Sequence, residues 1–138
     1  MSEEKAKKEA LRWIKTAESD LEAASLLRRE GKHAHACFFF QQSAEKALKS
    51  LFYLHGLDPW GHSVRKLIEH LKEINENLYS EFRYLLEEAT YLDRFYIPTR
   101  YPNGLPELTP EEAFTARDSK DAEEIALKII EKARKFLK

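Results

Sequence analysis

The sequence predicts an all-α protein, an up-and-down antiparallel bundle of five helices forming one domain over residues 1–138. Three observations carry this. Apolar residues recur at three and four positions through five long segments, the period of a helix with one buried face. All four glycines and all five prolines fall between residues 31 and 110, so they punctuate the segments rather than interrupt them. No segment alternates with the period of a strand. Five helices around a mixed aliphatic and aromatic core satisfy all three.

Helix one is expected over residues 3–30, burying Ala10, Trp13, Ile14, Ala17, Leu21, Ala24 and Leu27. Gly31 follows as its C′ residue, where a left-handed backbone costs glycine little. Helix two is expected over residues 32–55, stopping at Gly56. So short a link makes the two an antiparallel hairpin. Helix two has one apolar stripe of Cys37, Phe40, Ala44, Leu48 and Leu51, with Phe38 and Phe52 on a second. A helix apolar on more than one side is usually central. Gln41 and Gln42 then become partly buried amides that require hydrogen-bond partners.

Helix three is expected over residues 63–75, on Val64, Leu67, Ile68, Leu71 and Ile74. Helix four is expected over 78–96, on Phe82, Leu85, Leu86, Ala89 and Leu92. Pro98 ends it by removing a donor and restricting its predecessor. Residues 97–109 form a proline-rich loop. Thr109-Pro110-Glu111-Glu112 supplies an N-cap, a proline at N1 and a glutamate at N3, so a short helical piece begins there. Thr115 and Asp118 offer a second cap, and the last helix runs to about residue 137 on Ala122, Ile125, Ala126, Ile129, Ala133 and Phe136.

Composition excludes several functions. The formal net charge is −1, from 23 basic and 24 acidic residues, so no global basic excess grips nucleic acid. The single cysteine, Cys37, sits in an apolar run and reads as a core residue. The opening MSEEKAKKEA has no apolar stretch for a leader, and the longest apolar runs, such as residues 36–40, are far too short for a membrane span. A soluble, cytoplasmic protein is expected. His33, His35, His55, His62 and His70 include no pair at the i, i+4 spacing of a helical zinc site, so no metal is expected. No glycine-rich phosphate loop occurs, so any nucleotide contact must come from side chains. No cofactor is implied.

The string QQSAEKALKSLFYLHG (residues 41–56) resembles the second helix of the HEPN domain family. WIKTAESDLEAASLL (13–27) precedes it; His62, YIPTRYP (96–102) and PEEAFT (110–115) follow in order, so the resemblance covers nearly the whole chain. It implies a helical subunit that binds nucleotide or nucleic acid, RNA included, and partners a minimal nucleotidyltransferase, in a module of toxin–antitoxin type; the alternatives are a toxin ribonuclease with an atypical site and a purely structural helical assembly module. It also implies a homodimer, which fits a helix two with two apolar faces. HEPN ribonucleases carry an Arg-x4–6-His motif near the end of the bundle, but no histidine follows Arg100 here. The same pattern at Arg28 with His33 and at Arg65 with His70 lies in other elements and reads as surface pairs. No catalytic residue is therefore assigned, and no ribonuclease activity of that kind is expected.

The YIPTRYP loop is the candidate site. Tyr96 and Tyr101 supply stacking rings, and Arg100 supplies a fork for phosphate between Pro98 and Pro102. The alternative is a structural loop in which Arg100 pairs with Asp93 or Glu45. Lys46 is expected beside Arg100 to face an anion, with Glu45 as the carboxylate between them when no ligand is bound. Lys49 either joins that site or pairs with Glu45 one turn before it. His62 either contacts ligand, caps helix three or fills a gap beside it.

Overall fold

The computed structural model describes residues 2–138, and these are all helix, turn and loop. Three long helices form the frame. The first, α1 (Glu3–Arg29), starts on Ser2, whose hydroxyl accepts from the Lys5 N–H at 3.1 Å. It ends at Gly31, which takes φ +80° while the Lys32 N–H donates to Leu27 O at 2.9 Å. Those two features make a Schellman turn, and the next helix, α2 (His33–Leu54), runs straight back along α1. The last long helix, α7 (Ala116–Lys135), packs on both; Thr115 and Asp118 form its capping box.

The central position of α2 follows from its residues. Cys37, Phe40, Ala44, Leu48 and Leu51 are fully buried, as the stripe predicts. Phe40 and Phe52 are spent inside this chain's own core, and Phe38 and Phe39 are half-buried, so α2 leaves less aromatic surface than its sequence suggests. Beside that stripe α2 also buries Gln41, Glu45 and Lys49 on one flank and Ser43 and Ser50 on the other, an unusual polar load for a core helix. Burial pushes the Cys37 thiol up to about 12, with Asp118 adding to the effect.

The middle of the chain is more broken than its periodicity suggests. The third helix, α3 (Val64–His70), gives way to a 3₁₀ turn at Leu71–Glu73. Asn75 then caps α4 (Glu76–Phe82), its Oδ1 accepting from the Leu78 N–H at 2.7 Å. A second 3₁₀ turn, Arg83–Leu85, separates α4 from α5 (Leu86–Asp93), so the expected fourth helix is two. A 3₁₀ turn eclipses residues three apart, which lets Phe82 and Leu85 both point inward, and both are fully buried. The short α6 (Pro110–Ala113) carries the capping box of Thr109 and Glu112. Here α3 and α5 pack together across one end of α2 and set the loops on either side of it.

Candidate anion site at the end of the bundle

The site is built by a turn after α5. Pro98 has no N–H to return to Arg94, so the helix stops and the chain turns. The Arg100 N–H donates to Ile97 O at 3.0 Å, and the buried Thr99 hydroxyl donates to Phe95 O. Arg100 Nε reaches back to Tyr96 O at 2.8 Å. The guanidinium carbon then lies 4.5 Å from the centre of the Phe38 ring, 4.6 Å from Tyr96 and 5.4 Å from Tyr101. Three aromatic rings and one carbonyl fix a planar cation at the mouth of a cleft of about 360 Å³. Ala34, Phe38, Phe39, Thr99 and Pro110 line that cleft.

Neither acid offered as a partner for Arg100 takes it. The carboxylate of Asp93 caps α3 instead, accepting from the Ser63 hydroxyl at 2.7 Å, the Val64 N–H at 2.7 Å and the Arg65 N–H at 3.1 Å. Glu45 accepts from Lys49 at 3.1 Å and from Gln42 at 3.3 Å. Glu111, on the rim of the cleft, pairs with Lys32 at 3.5 Å. Among the described residues Arg100 has no carboxylate at ion-pair distance; Arg29, Arg83, Arg94 and Arg117 also lack one, but of these five only Arg100 is held over aromatic rings.

A polar chain runs from this cation into the core. The His62 ring stacks on Tyr96 with centroids 4.8 Å apart and planes at 15°. Its Nδ1 lies 3.4 Å from Glu45 Oε2. Gln41 donates to His62 O at 2.8 Å and accepts from Gln42 at 2.9 Å, which satisfies the buried amides of α2. Lys49, Glu45, His62, Tyr96 and Arg100 thus form one continuous row, with Tyr101 exposed at its outer end. His62 does not cap α3; Ser63 does, accepting from the Lys66 N–H at 3.0 Å.

Lys46 is placed elsewhere. It pairs with Asp20 of α1 at 2.6 Å and lines a separate cleft with Glu9, Arg12, Trp13 and Thr16. One residue after Glu45 is about 100° further round the helix, which turns Lys46 from the Arg100 side toward α1. Phe38 is the member of the cage that sequence reading assigned only to an apolar stripe. Its one signal was its place at the head of the aromatic run Phe38-Phe39-Phe40, on the less buried side of α2.

The arrangement can hold an anion. With Nε spent on Tyr96 O, the guanidinium keeps the edge of its two Nη groups as paired donors to a phosphate, and the exposed Tyr101 ring can meet a base. No group of three metal-ligating side chains is gathered among the described residues, and no described helix is long and apolar enough to cross a membrane.

Comparison with known proteins agrees with this architecture. The HEPN domain profile matches residues 10–138. The candidate toxin MJ1304 of Methanocaldococcus jannaschii is 30% identical over 132 residues, which cover 91% of this chain and 86% of that protein. The crystal structure of TT1696 from Thermus thermophilus superposes with a TM-score of 0.81 at 35% identity, covering 91% of this chain and 96% of its own. ST0689, an archaeal HEPN homologue, gives 0.74 at 36% identity, with 94% and 98% covered. An HEPN domain protein of Thermotoga maritima gives 0.66 at 29% identity, with 91% and 97% covered. The match over almost the whole chain, with the helical fold shared by these relatives, shows that this protein belongs to the HEPN domain family.

Proposed function

We propose that this chain is the nucleotide-binding helical subunit of a two-component module of toxin–antitoxin type, partnering a minimal nucleotidyltransferase supplied as a separate chain. One observation carries the binding half of the reading: Arg100 is held by Phe38, Tyr96 and Tyr101 yet has no carboxylate partner. A cation ordered at the mouth of a cleft and left without a counter-charge suits an anion from solution. Similarity to a candidate toxin, and the family itself, support the module half. Assembly as a homodimer belongs to the same reading.

Calorimetric titration of ATP and GTP into the wild type and Arg100→Ala tests the site. A charge-assisted hydrogen bond contributes about 1.5–3 kcal/mol, so the variant should bind roughly tenfold or more weakly, and high salt should weaken the wild type. Equal affinity in both proteins removes the site. Co-purification with a nucleotidyltransferase encoded beside this chain tests the partner, and light scattering near twice 16.2 kDa tests the dimer.

A second reading is favoured by one contact. His62, backed by Glu45 at 3.4 Å and stacked on Tyr96, could serve as general base beside the Arg100 cation in a ribonuclease of atypical design. Cleavage of single-stranded RNA that disappears in both His62→Ala and Arg100→Ala would select that reading. No cleavage by the wild type discards it.

A further inference from the structure

We propose that the cleft between the loop joining α2 to α3 and the outer face of α3 is a second binding site, and that its ligand is an aliphatic polyamine held by Trp60, Asp58 and Glu73. The inference goes beyond the nucleotide-binding reading and does not depend on it.

Trp60 is 82% exposed, the most exposed large hydrophobic residue among those described. Its loop is pinned at both ends. The Leu57 N–H donates to Phe52 O at 2.9 Å, and His62 O accepts from the buried Gln41 at 2.8 Å. Between these ends Gly61 turns at φ +95°, a backbone that a larger side chain would strain. An indole displayed in water on a pinned loop contributes nothing to the core. The stacked and cation–π pairs of this chain engage Trp13 but not Trp60, so the indole is open to a ligand.

Trp60 lines a cleft of about 610 Å³, an ordinary size for a small-molecule site. Phe52 and Leu67, both buried, give it an apolar floor, and Leu57 adds an exposed apolar edge. Asp58 comes from the loop. Leu67, His70 and Glu73 recur every three residues along α3 and its 3₁₀ turn, so Glu73 belongs to the other wall. Neither carboxylate has a basic side chain at ion-pair distance among the described residues, whereas Glu69 on α3 takes both Arg65 and Lys66. Other exposed acids are unpaired too, but these two share a cleft with an indole. The Tyr53 hydroxyl, raised above its ordinary range by burial and then by Asp58, is a neutral neighbour that leaves the carboxylate its charge.

Each property narrows the ligand. Two carboxylates, with no lysine or arginine in the lining, repel an anion. A metal ion lacks its ligands, since no group of three ligating side chains is gathered among the described residues. An apolar floor between acids on two walls matches a hydrocarbon chain with an ammonium at either end. The methylenes cover Phe52, Leu57 and Leu67, and the ammonium groups meet Asp58 and Glu73. An ammonium at the indole face gains a cation–π contact, for which tryptophan is the best of the aromatic residues. His70 can accept one further N–H on a ring nitrogen.

The test is a fluorescence titration in a Trp13→Phe background, where Trp60 is the only indole. Putrescine, spermidine, butylamine and magnesium ion are added at about pH 8, where the amines carry charge. Both polyamines should change the Trp60 emission, and butylamine, with one charge, should bind about threefold or more weakly than putrescine. Asp58→Asn and Glu73→Gln should each weaken putrescine about two- to fivefold, and the double variant should lose the preference for putrescine over butylamine. Calorimetry on Trp60→Ala should show a further loss of about two- to fivefold. Glu87→Gln, which removes an exposed acid on α5, should bind as the wild type does. Putrescine and butylamine binding equally, a putrescine affinity untouched in the double variant, or an equal response to magnesium would overturn the proposal. A leucine- and lysine-containing peptide that binds more tightly than putrescine would overturn it in favour of a protein partner. Circular dichroism confirms that each variant is folded.

Discussion

Arg100 lies over the face of Phe38, its guanidinium carbon 4.5 Å from the ring centre, so a loop after α5 is seated on the first turns of α2. The contact fixes where the cation points.

Removing that seat should cost affinity before it costs stability. A cation–π contact at a partly exposed site is worth about 0.5–1 kcal/mol. Phe38→Ala should therefore weaken nucleotide binding about two- to fivefold while Phe38→Tyr retains it. Titration calorimetry reads the difference, and identical affinities in all three proteins would show that the ring does not order Arg100.

The Glu45–Lys49 pair is buried on α2, at 3% and 8% exposure. Glu45→Ala leaves the Lys49 ammonium without its carboxylate, and breaking such a pair from one side costs about 3–5 kcal/mol. Replacing both, as Glu45→Leu with Lys49→Met, should recover most of that loss. Urea denaturation compares the three, and a double variant as unstable as the single one contradicts the argument.

Asp93 holds the start of α3 through two backbone N–H groups and the Ser63 hydroxyl. Losing a cap costs about 1–2 kcal/mol, and this one also leaves polar groups unpaired. Asp93→Ala should fall at or above the top of that range, with Asp93→Asn losing less. A drop in denaturation midpoint no larger than that of Glu111→Ala, an exposed control, counts against it.

Alkali should destabilise the fold through Cys37. Its thiol ionises near 9.0 when unfolded and near 12 when buried. Below pH 9.0 both forms keep the proton and the stabilisation is fully present; between pH 9.0 and about 12 only the folded form still holds it, so stability falls as pH rises. Tyr91, raised by burial and then by Asp118, acts in the same direction. In Cys37→Ala the loss over this range should be shallower. Parallel curves for the two proteins would assign the alkaline loss to other groups.

The long helices were legible because their information is local. The stripes of α1 and α7 declare one buried face each and those of α2 more than one, and Gly31 and Thr115 mark boundaries by backbone geometry alone. The breaks at Leu71–Glu73 and Arg83–Leu85 were not, since a 3₁₀ turn keeps the three-residue recurrence that also suits a continuous helix. At the site, Tyr96, Arg100 and Tyr101 were legible as a cluster within one loop. Lys49, joined to them through Glu45 and His62, could be offered only as one of two alternatives. Lys46 went astray because its partner, Asp20, lies on another helix, and no spacing within α2 records which neighbour it faces. Phe38 escaped for the same reason: its role depends on a loop that arrives from far along the chain.

The carboxylate of Asp93 has a consequence for motion. It stands at the end of α5, just before the Arg100 turn, and grips the first residues of α3, just after the Trp60 loop. Local opening in a protein proceeds in cooperative units rather than residue by residue. With one side chain fastening both segments, fraying of either releases the other, and whatever quiets one quiets both. The two loops are a single hinge-plate, so the surface they display should be protected, or lost, as a whole.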